Sequence, residues 1–188
     1  MKELISKCLK RSIEIREAIL SDTVLVDRIA ESARLLEDTV HASGVIYSCG
    51  NGGSSCDAMH LTEELVARYK KERPGIKAMH FMDPGTMTCW GNDYSFEDIF
   101  KRNAETFCSK GDALVAISTS GNSKNVISAV KVAQAKGTKV IGLLGKDGGL
   151  LKDLVDCPIV VPASETERIQ EVHITIIHLW CEFLEKGF

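Results

Sequence analysis

Residues 45–68 read VIYSCGNGGSSCDAMHLTEELVAR: an apolar β-type run stops at glycine, asparagine and serine and continues at once as a helical pattern. Residues 113–123, ALVAISTSGNS, repeat this arrangement further along the chain. Where a strand passes directly into a helix, free backbone N–H groups and the helix dipole favour an anion at the turn. Two such turns in one chain predict a phosphorylated ligand.

Around these two segments, short β-type runs alternate with helical patterns, which is typical of a parallel sheet with right-handed crossovers. The predicted strands are residues 45–49, 77–81, 113–118, 139–144 and 158–161. Residues 3–20 and 23–42 precede them as two amphipathic helices, with Ser21 and Asp22 placed to end the first and cap the second. We predict an α/β protein: a three-layer α/β/α sandwich around a five-stranded parallel sheet.

The predicted organisation is a single domain over residues 1–188, with N-terminal helices at 1–43 and an α/β core at 44–188. With 188 residues, 44% of them hydrophobic, the chain supports one well-buried core and needs no linker. The last segment, residues 165–186, is apolar around most of its predicted helix. We interpret that surface, and the two extra N-terminal helices, as burial against another subunit.

Charge and cysteine usage narrow the class of protein. The net charge is −3 and basic residues are interspersed with acidic ones, which argues against nucleic acid as a partner. Seven cysteines, an odd number without CxxC spacing, indicate the reducing cytoplasm. The sequence shows neither a signal peptide nor a segment long enough to span a membrane.

The two turns differ in chemistry. The first, Gly50–Ser55, lacks the lysine of a P-loop and the spacing of a dinucleotide fingerprint, so no nucleotide cofactor is expected; its glycines could also simply turn the chain. In the second, four hydroxyls surround one glycine and could ring a phosphate without a fixed cation: Ser118, Thr119, Ser120 and Ser123. Ser123 alone could be an ordinary helix cap.

Titratable side chains follow the first turn and recur in the last helix. His60 and Glu64 are four residues apart and share a helix face, either as a surface hydrogen bond or as a pair that meets one metal or substrate. Gln170, His173 and His178 are expected broadly on one side of the last helix. With its apolar neighbours, His178 is either a buried structural histidine or a general acid/base.

Five segments together carry a resemblance to a known family: CGNGGSSCDAMHLTEEL (49–65), GNDYSFEDIF (91–100), ISTSGNS (117–123), GKDGG (145–149) and RIQEVHITIIH (168–178). In combination they resemble the phosphoheptose isomerases of the sugar isomerase (SIS) domain family, whose fold is flavodoxin-like. The resemblance implies an aldose–ketose isomerase that converts sedoheptulose 7-phosphate to D-glycero-D-manno-heptose 7-phosphate through an enediol. This is the first step of heptose biosynthesis for lipopolysaccharide or capsule.

The resemblance also implies roles for individual residues. Glu64 matches the catalytic base and His178 its acid/base partner. Substrate contacts, Glu64 among them, match Asn51, Gly52, Gly53, Ser54, Asn92, Asp93, Ser118, Thr119, Ser120, Ser123 and Gln170. Some family members bind zinc at the positions of His60, Glu64, Gln170 and His178.

The family assembles as a homotetramer with sites shared between subunits, which would bring Glu64 and His178 together from different chains. The chain departs from the family in residues 80–93, where Pro84, Met87 and Trp90 stand in what we expect to be a loop of the pocket wall. The alternatives are a non-catalytic regulatory binding protein of the same fold and an isomerase of another sugar phosphate. The presence of both Glu64 and His178 favours an enzyme.

Overall fold

The computed structural model describes residues 1–187. These residues form five strands, β1 Ile46–Gly50, β2 Ala78–His80, β3 Ala113–Ser118, β4 Lys139–Gly145 and β5 Cys157–Val161. They also form seven α-helices, α1 Lys2–Ser21, α2 Thr23–His41, α3 Gly53–Val66, α4 Pro84–Asp93, α5 Ile99–Phe107, α6 Lys124–Ala135 and α7 Thr166–Leu184. Short 3₁₀ helices lie at Phe96–Asp98, Leu150–Asp153 and Glu185–Gly187.

All strands are parallel, in the order β2-β1-β3-β4-β5. The predicted five-stranded parallel sheet is confirmed, with strand ends shifted by at most one residue. β1 and β3 are neighbours, and Gly50 at the end of β1 pairs with Ile117 near the end of β3. Because parallel strands all end at the same edge, the two turns that follow β1 and β3 lie side by side there.

The sheet is covered on both faces, as predicted. One face packs against α2, α3 and α7 through side chains such as Ile117 and Ile141, and the other against α5 and α6 through side chains such as Leu114 and Val140. Strands covered on both faces have no solvent side, and every residue of β1 and β3 is buried. This explains their continuous apolar sequence.

The last helix is enclosed mainly by its own chain. Ile177, Trp180 and Cys181 of α7 are fully buried, and Trp180 donates a hydrogen bond from Nε1 to Ser32 Oγ at 2.8 Å. The neighbours of α7 are α1, α2, α3 and β4. The interpretation that its apolar surface requires another subunit is therefore wrong for most of that surface, because the N-terminal helices already cover it.

The N-terminal helices form as predicted. Ser21 is the last residue of α1, and the Asp22 carboxylate accepts a hydrogen bond from Leu25 N at 3.0 Å, capping α2. Ile15 is the buried residue of α1, whereas five of its larger apolar side chains are exposed: Leu4, Ile5, Leu9, Ile13 and Leu20. None of the helices in residues 1–187 is long and apolar enough to cross a membrane.

The expected loop at residues 80–93 is wrong, because most of it is helix α4. Asp83 caps this helix by accepting a hydrogen bond from Thr86 N at 2.7 Å, and Pro84 follows in the first turn. Proline is favoured there since its missing N–H has no helical partner. Trp90 stacks on Tyr94, with ring centroids 4.1 Å apart.

Candidate active site

The first turn, residues 50–55, opens α3 at the edge of the sheet. Gly52 has φ +57°, a left-handed conformation that suits glycine, and Ser54 is buried. The Asn51 and Asn125 side-chain amides exchange two hydrogen bonds of 2.8 Å, which join this turn to the beginning of α6. Sequence reasoning missed Asn125, although the sequence shows an asparagine in the first turn of a largely apolar helix.

The second turn, residues 118–123, opens α6. The hydroxyls of Ser118 and Ser123 are 2.9 Å apart and hydrogen-bonded. Ser123 holds the N-cap position, but its side chain caps no helical N–H, so the ordinary capping role is not what its hydroxyl does. Thr119 and Ser120 are half-buried, and Ser120 Oγ accepts from Asn122 N at 3.2 Å. Hydroxyls and a helix N-terminus therefore converge here, as the phosphate hypothesis requires.

The segment GKDGG, residues 145–149, supports this second turn from outside. Gly121 has φ +64°, and a Cβ there would lie 1.8 Å from the carbonyl oxygen of Gly148. Leu151 N donates to Gly121 O, and Leu150 N donates to Asn122 Oδ1, both at 3.0 Å. The close backbone approach explains the glycines, and it gives this segment a structural role that sequence reasoning did not assign.

Three side chains gather on the facing surfaces of α3 and α7. His60 Nε2 lies 3.3 Å from Glu64 Oε1 and 3.0 Å from His178 Nε2. One donor atom from each of the three residues lies within 4.8 Å of the others. All three are half-buried. The helical spacing of His60 and Glu64 is confirmed as a shared face, and His178 is added to it by the packing of α7 on α3.

Glu64 and His178 come together within one chain. The expectation that they would be brought together from different chains is therefore wrong. The reason is the direct packing of α7 against α3, which one chain completes without a partner.

The two histidines of α7 have different environments. His173 is fully buried, and its Nε2 donates to Leu144 O at 3.0 Å. Burial lowers the pKa of His173 to about 4, and the hydrogen bond to Leu144 opposes this decrease. His178 is half-buried and stacks on Tyr69, with ring centroids 5.7 Å apart. The buried structural histidine is thus His173, and the expectation that it shares a side with His178 is wrong.

Gln170 connects the first turn to this helix face. A Cβ on Gly53 would lie 2.4 Å from Gln170 Nε2, so the glycine permits the amide to lie directly against the turn. Gln170 and His178 are eight residues apart on α7, about 12 Å along the axis. The site is therefore elongated, with hydroxyls and backbone N–H groups at one end and titratable groups at the other.

Within residues 1–187, no hydrogen bond joins the side chains of Asn92 and Asp93 to the turns. Both are exposed at the end of α4, where Asn92 Nδ2 donates to Asp93 Oδ1 at 2.8 Å and Cys89 Sγ lies 3.6 Å from Asp93 Oδ2. Their substrate role stays a prediction from the resemblance.

Asp57 is a further titratable group that sequence reasoning missed. It lies three residues before His60 and seven before Glu64, so the three share one face of α3. Its Oδ2 is buried without a hydrogen-bond partner. Burial raises the pKa of Asp57 to about 6, and His60 opposes that rise.

Comparison with known proteins identifies the family. The SIS domain model matches residues 11–145. Phosphoheptose isomerases of Sodalis glossinidius and Shigella dysenteriae are 45% and 46% identical over 186 residues, covering 98% of this chain and 96% and 97% of theirs. Solved phosphoheptose isomerases of Neisseria gonorrhoeae and Francisella tularensis superpose with TM-scores of 0.92 and 0.93, at 35% and 32% identity. Each pairing covers 98% of this chain and 98% and 97% of the other. The chain therefore belongs to the SIS domain family and, within it, to the phosphoheptose isomerases.

Proposed function

We propose that this protein is an aldose–ketose isomerase that converts sedoheptulose 7-phosphate to D-glycero-D-manno-heptose 7-phosphate, the first step of heptose biosynthesis for lipopolysaccharide or capsule. The proposal is supported by the family to which the chain belongs. The observation that carries it is a carboxylate and an imidazole, Glu64 and His178, gathered where α7 packs on α3, the helix that begins at the first turn. An elongated site suits an open-chain sugar with phosphate at one end and carbonyl at the other.

The phosphate end uses neutral donors. Backbone N–H groups at the start of α3 and α6 lie at the edge where the turns meet, and the second turn adds the hydroxyls of Ser118, Thr119, Ser120 and Ser123. Helix N-termini attract a phosphate without a fixed cation. This binding energy holds the far end of the sugar and thereby orients its reacting carbons.

The other end carries out proton transfer. Glu64 takes the proton from C1 of the ketose and returns it to C2, while His178 donates a proton to O2 and takes one from O1 by way of its ring nitrogen. The enediol forms between the two transfers, and the sum of the steps conserves every proton. A positioned acid/base group supplies about 10²- to 10⁴-fold in rate. Asn51, Gly52, Gly53, Ser54 and Gln170 would line the sugar between the two ends.

Zinc is the cofactor we propose, one ion per subunit. Imidazole nitrogens and a carboxylate oxygen are its usual ligands, and His60, Glu64 and His178 present such atoms within 4.8 Å of one another. Gln170, whose amide lies against Gly53, would supply a fourth donor only by turning toward His178. A bound zinc would polarise the substrate carbonyl. The metal and base roles compete for Glu64, because a carboxylate bound to a cation is a weaker base.

We further propose a cytoplasmic homotetramer. The exposed apolar side chains of α1 support an interface, since contiguous apolar surface is costly to leave in water. In such a tetramer a neighbouring subunit would complete the pocket around a Glu64–His178 pair that one chain already holds. All seven cysteines are free, which supports a reducing compartment. Light scattering on the purified protein tests the assembly.

The test of the reaction is incubation of purified protein with sedoheptulose 7-phosphate in deuterated water, with and without added zinc. NMR follows formation of the aldose and deuterium at C2. We expect conversion by the parent and its loss in Glu64→Gln and His178→Gln. An inert parent would overturn the proposed reaction, and a panel of other sugar phosphates would then separate a different isomerase from a non-catalytic binding protein.

A further inference from the structure

Arg73 and Glu185 form a buried ion pair that no step of the proposed reaction uses. Arg73 Nε lies 3.3 Å from Glu185 Oε1, without hydrogen-bond alignment, and the two side chains are 1% and 4% exposed. Taking two charges out of water is costly, and apolar side chains of similar size often stabilise a fold as well. The groups that the pair contacts therefore indicate more about its role than its own interaction energy does.

Arg73 holds the end of α3. Its Nη2 donates to Glu64 O at 2.7 Å, and its Nη1 donates to Leu65 O at 2.9 Å and to Pro74 O at 3.1 Å. The last carbonyls of a helix lack partners within the helix. The Arg73 guanidinium supplies hydrogen-bond donors to these carbonyls and thereby fixes the backbone that carries Glu64.

Glu185 holds the segment that follows α3. Its carboxylate accepts hydrogen bonds from the backbone N–H groups of Tyr69, Lys70 and Lys71 at 3.1–3.2 Å. Tyr69 belongs to this segment, and its ring stacks on the His178 ring at an interplanar angle of 27°. One ion pair thus contacts the backbone of Glu64 and also the segment whose aromatic ring covers His178.

We propose that Arg73 and Glu185 are positioning residues of the isomerase. They fix Glu64 through its backbone and His178 through Tyr69, and so set the distance between the base and its acid/base partner. The inference rests on the proposed function, and neither residue is placed on the substrate. A displacement of about 1 Å at reacting groups can cost about 10²-fold in rate, so a small shift of this segment would be measurable.

The test compares two glutamates at the same end of the chain. Glu185→Gln removes the buried charge, whereas Glu182→Gln breaks the solvent-exposed ion pair with Lys70, whose atoms are 3.0 Å apart. We expect Glu185→Gln to lower kcat by about 10- to 100-fold with KM within about twofold, while thermal unfolding stays cooperative. Glu182→Gln should leave both constants unchanged.

A second pair of variants isolates the stacked ring. Tyr69→Phe keeps the ring and should retain kcat. Tyr69→Leu removes it, and we expect a lower kcat with KM within about twofold, since His178 loses the ring that is stacked on its face. The ring-proton resonances of His178 report the same change without any substrate, because a stacked aromatic ring displaces them.

These measurements distinguish a positioning role from a purely structural one. A folded Glu185→Gln protein with parental kcat and parental His178 resonances would overturn the proposal, as would a loss of activity matching the fraction unfolded. If Glu185→Gln does not fold, Glu185→Asp and the two Tyr69 variants decide by the same measurements. If the parent is inert, the proposed reaction fails, but His178 resonances that move in Glu185→Gln and not in Glu182→Gln still support the positioning role.

Discussion

The two turns of this site and its histidine face, formed by His60, Glu64 and His178, are built in different ways. Each turn is a continuous stretch of sequence between a strand and a helix, and its donors are neutral. The histidine face joins α3 to α7, which are far apart in the chain, and its groups are two imidazoles and a carboxylate. Local geometry is sufficient for binding an anion, whereas proton transfer needs groups whose separation is set by helix packing.

The largest effect should come from breaking the histidine face. Glu64→Gln removes the base but preserves its shape, so we expect kcat to fall by about 10³-fold while KM changes by only a few-fold. Steady-state kinetics measure both. Glu63→Gln, an exposed neighbour on the same helix, is the matched control and should retain parental kcat. A Glu64→Gln protein with near-parental kcat would assign the base to another residue.

The next effect concerns stability, and it comes from His173, the buried histidine of α7. Its folded-state pKa, about 4, lies below the ordinary 6.5, so the unfolded chain binds more protons between these values and stability falls as pH drops through that window. This one group should cost about 2 kcal/mol of the free energy of unfolding between pH 7 and pH 5. Denaturant unfolding of the parent and His173→Gln at both pH values measures the difference, and equal losses in the two proteins would contradict it.

The turns should affect binding rather than chemistry. Ser123→Ala removes a hydroxyl from the proposed phosphate site, and we expect KM to rise about tenfold with kcat within about twofold, the size of one hydrogen bond to a charged group. Ser128→Ala, one turn further along α6, should behave as the parent. A fall in kcat at unchanged KM would mean that the two regions are not separable in function.

The smallest effect should come from the contact between Gly53 of the first turn and Gln170 of α7. Gly53→Ala places a methyl group where Gln170 Nε2 now lies, but the flexible amide can move, so we expect a loss of about three- to fivefold in kcat/KM. In a Gln170→Ala background the same substitution should have no further effect. Additive losses in this double-mutant cycle would show that Gly53 acts independently of Gln170.

Some of the site was predictable because its signals are local. The strands, both turns, the pairing of His60 with Glu64 and the Asp22 cap all depend on residues within a few positions of one another. Helix α4 was missed although Asp83 and Pro84 form a standard helix start, because the glycines and threonines that follow have low helix propensity. His173 and His178 could have been separated from sequence, since five residues place them about 140° apart around a helix.

By itself the sequence determined the sheet, its crossovers and the positions of the two turns, because apolar periodicity and glycine-rich turns act over short distances. The tertiary structure decided that Glu64 and His178 meet in one chain and that His173 faces the sheet. It also decided that Arg73 holds the end of α3 and that Glu185 holds residues 69–71. The physical reason is that helix packing sets the distances between side chains far apart in sequence, and no local pattern encodes such distances.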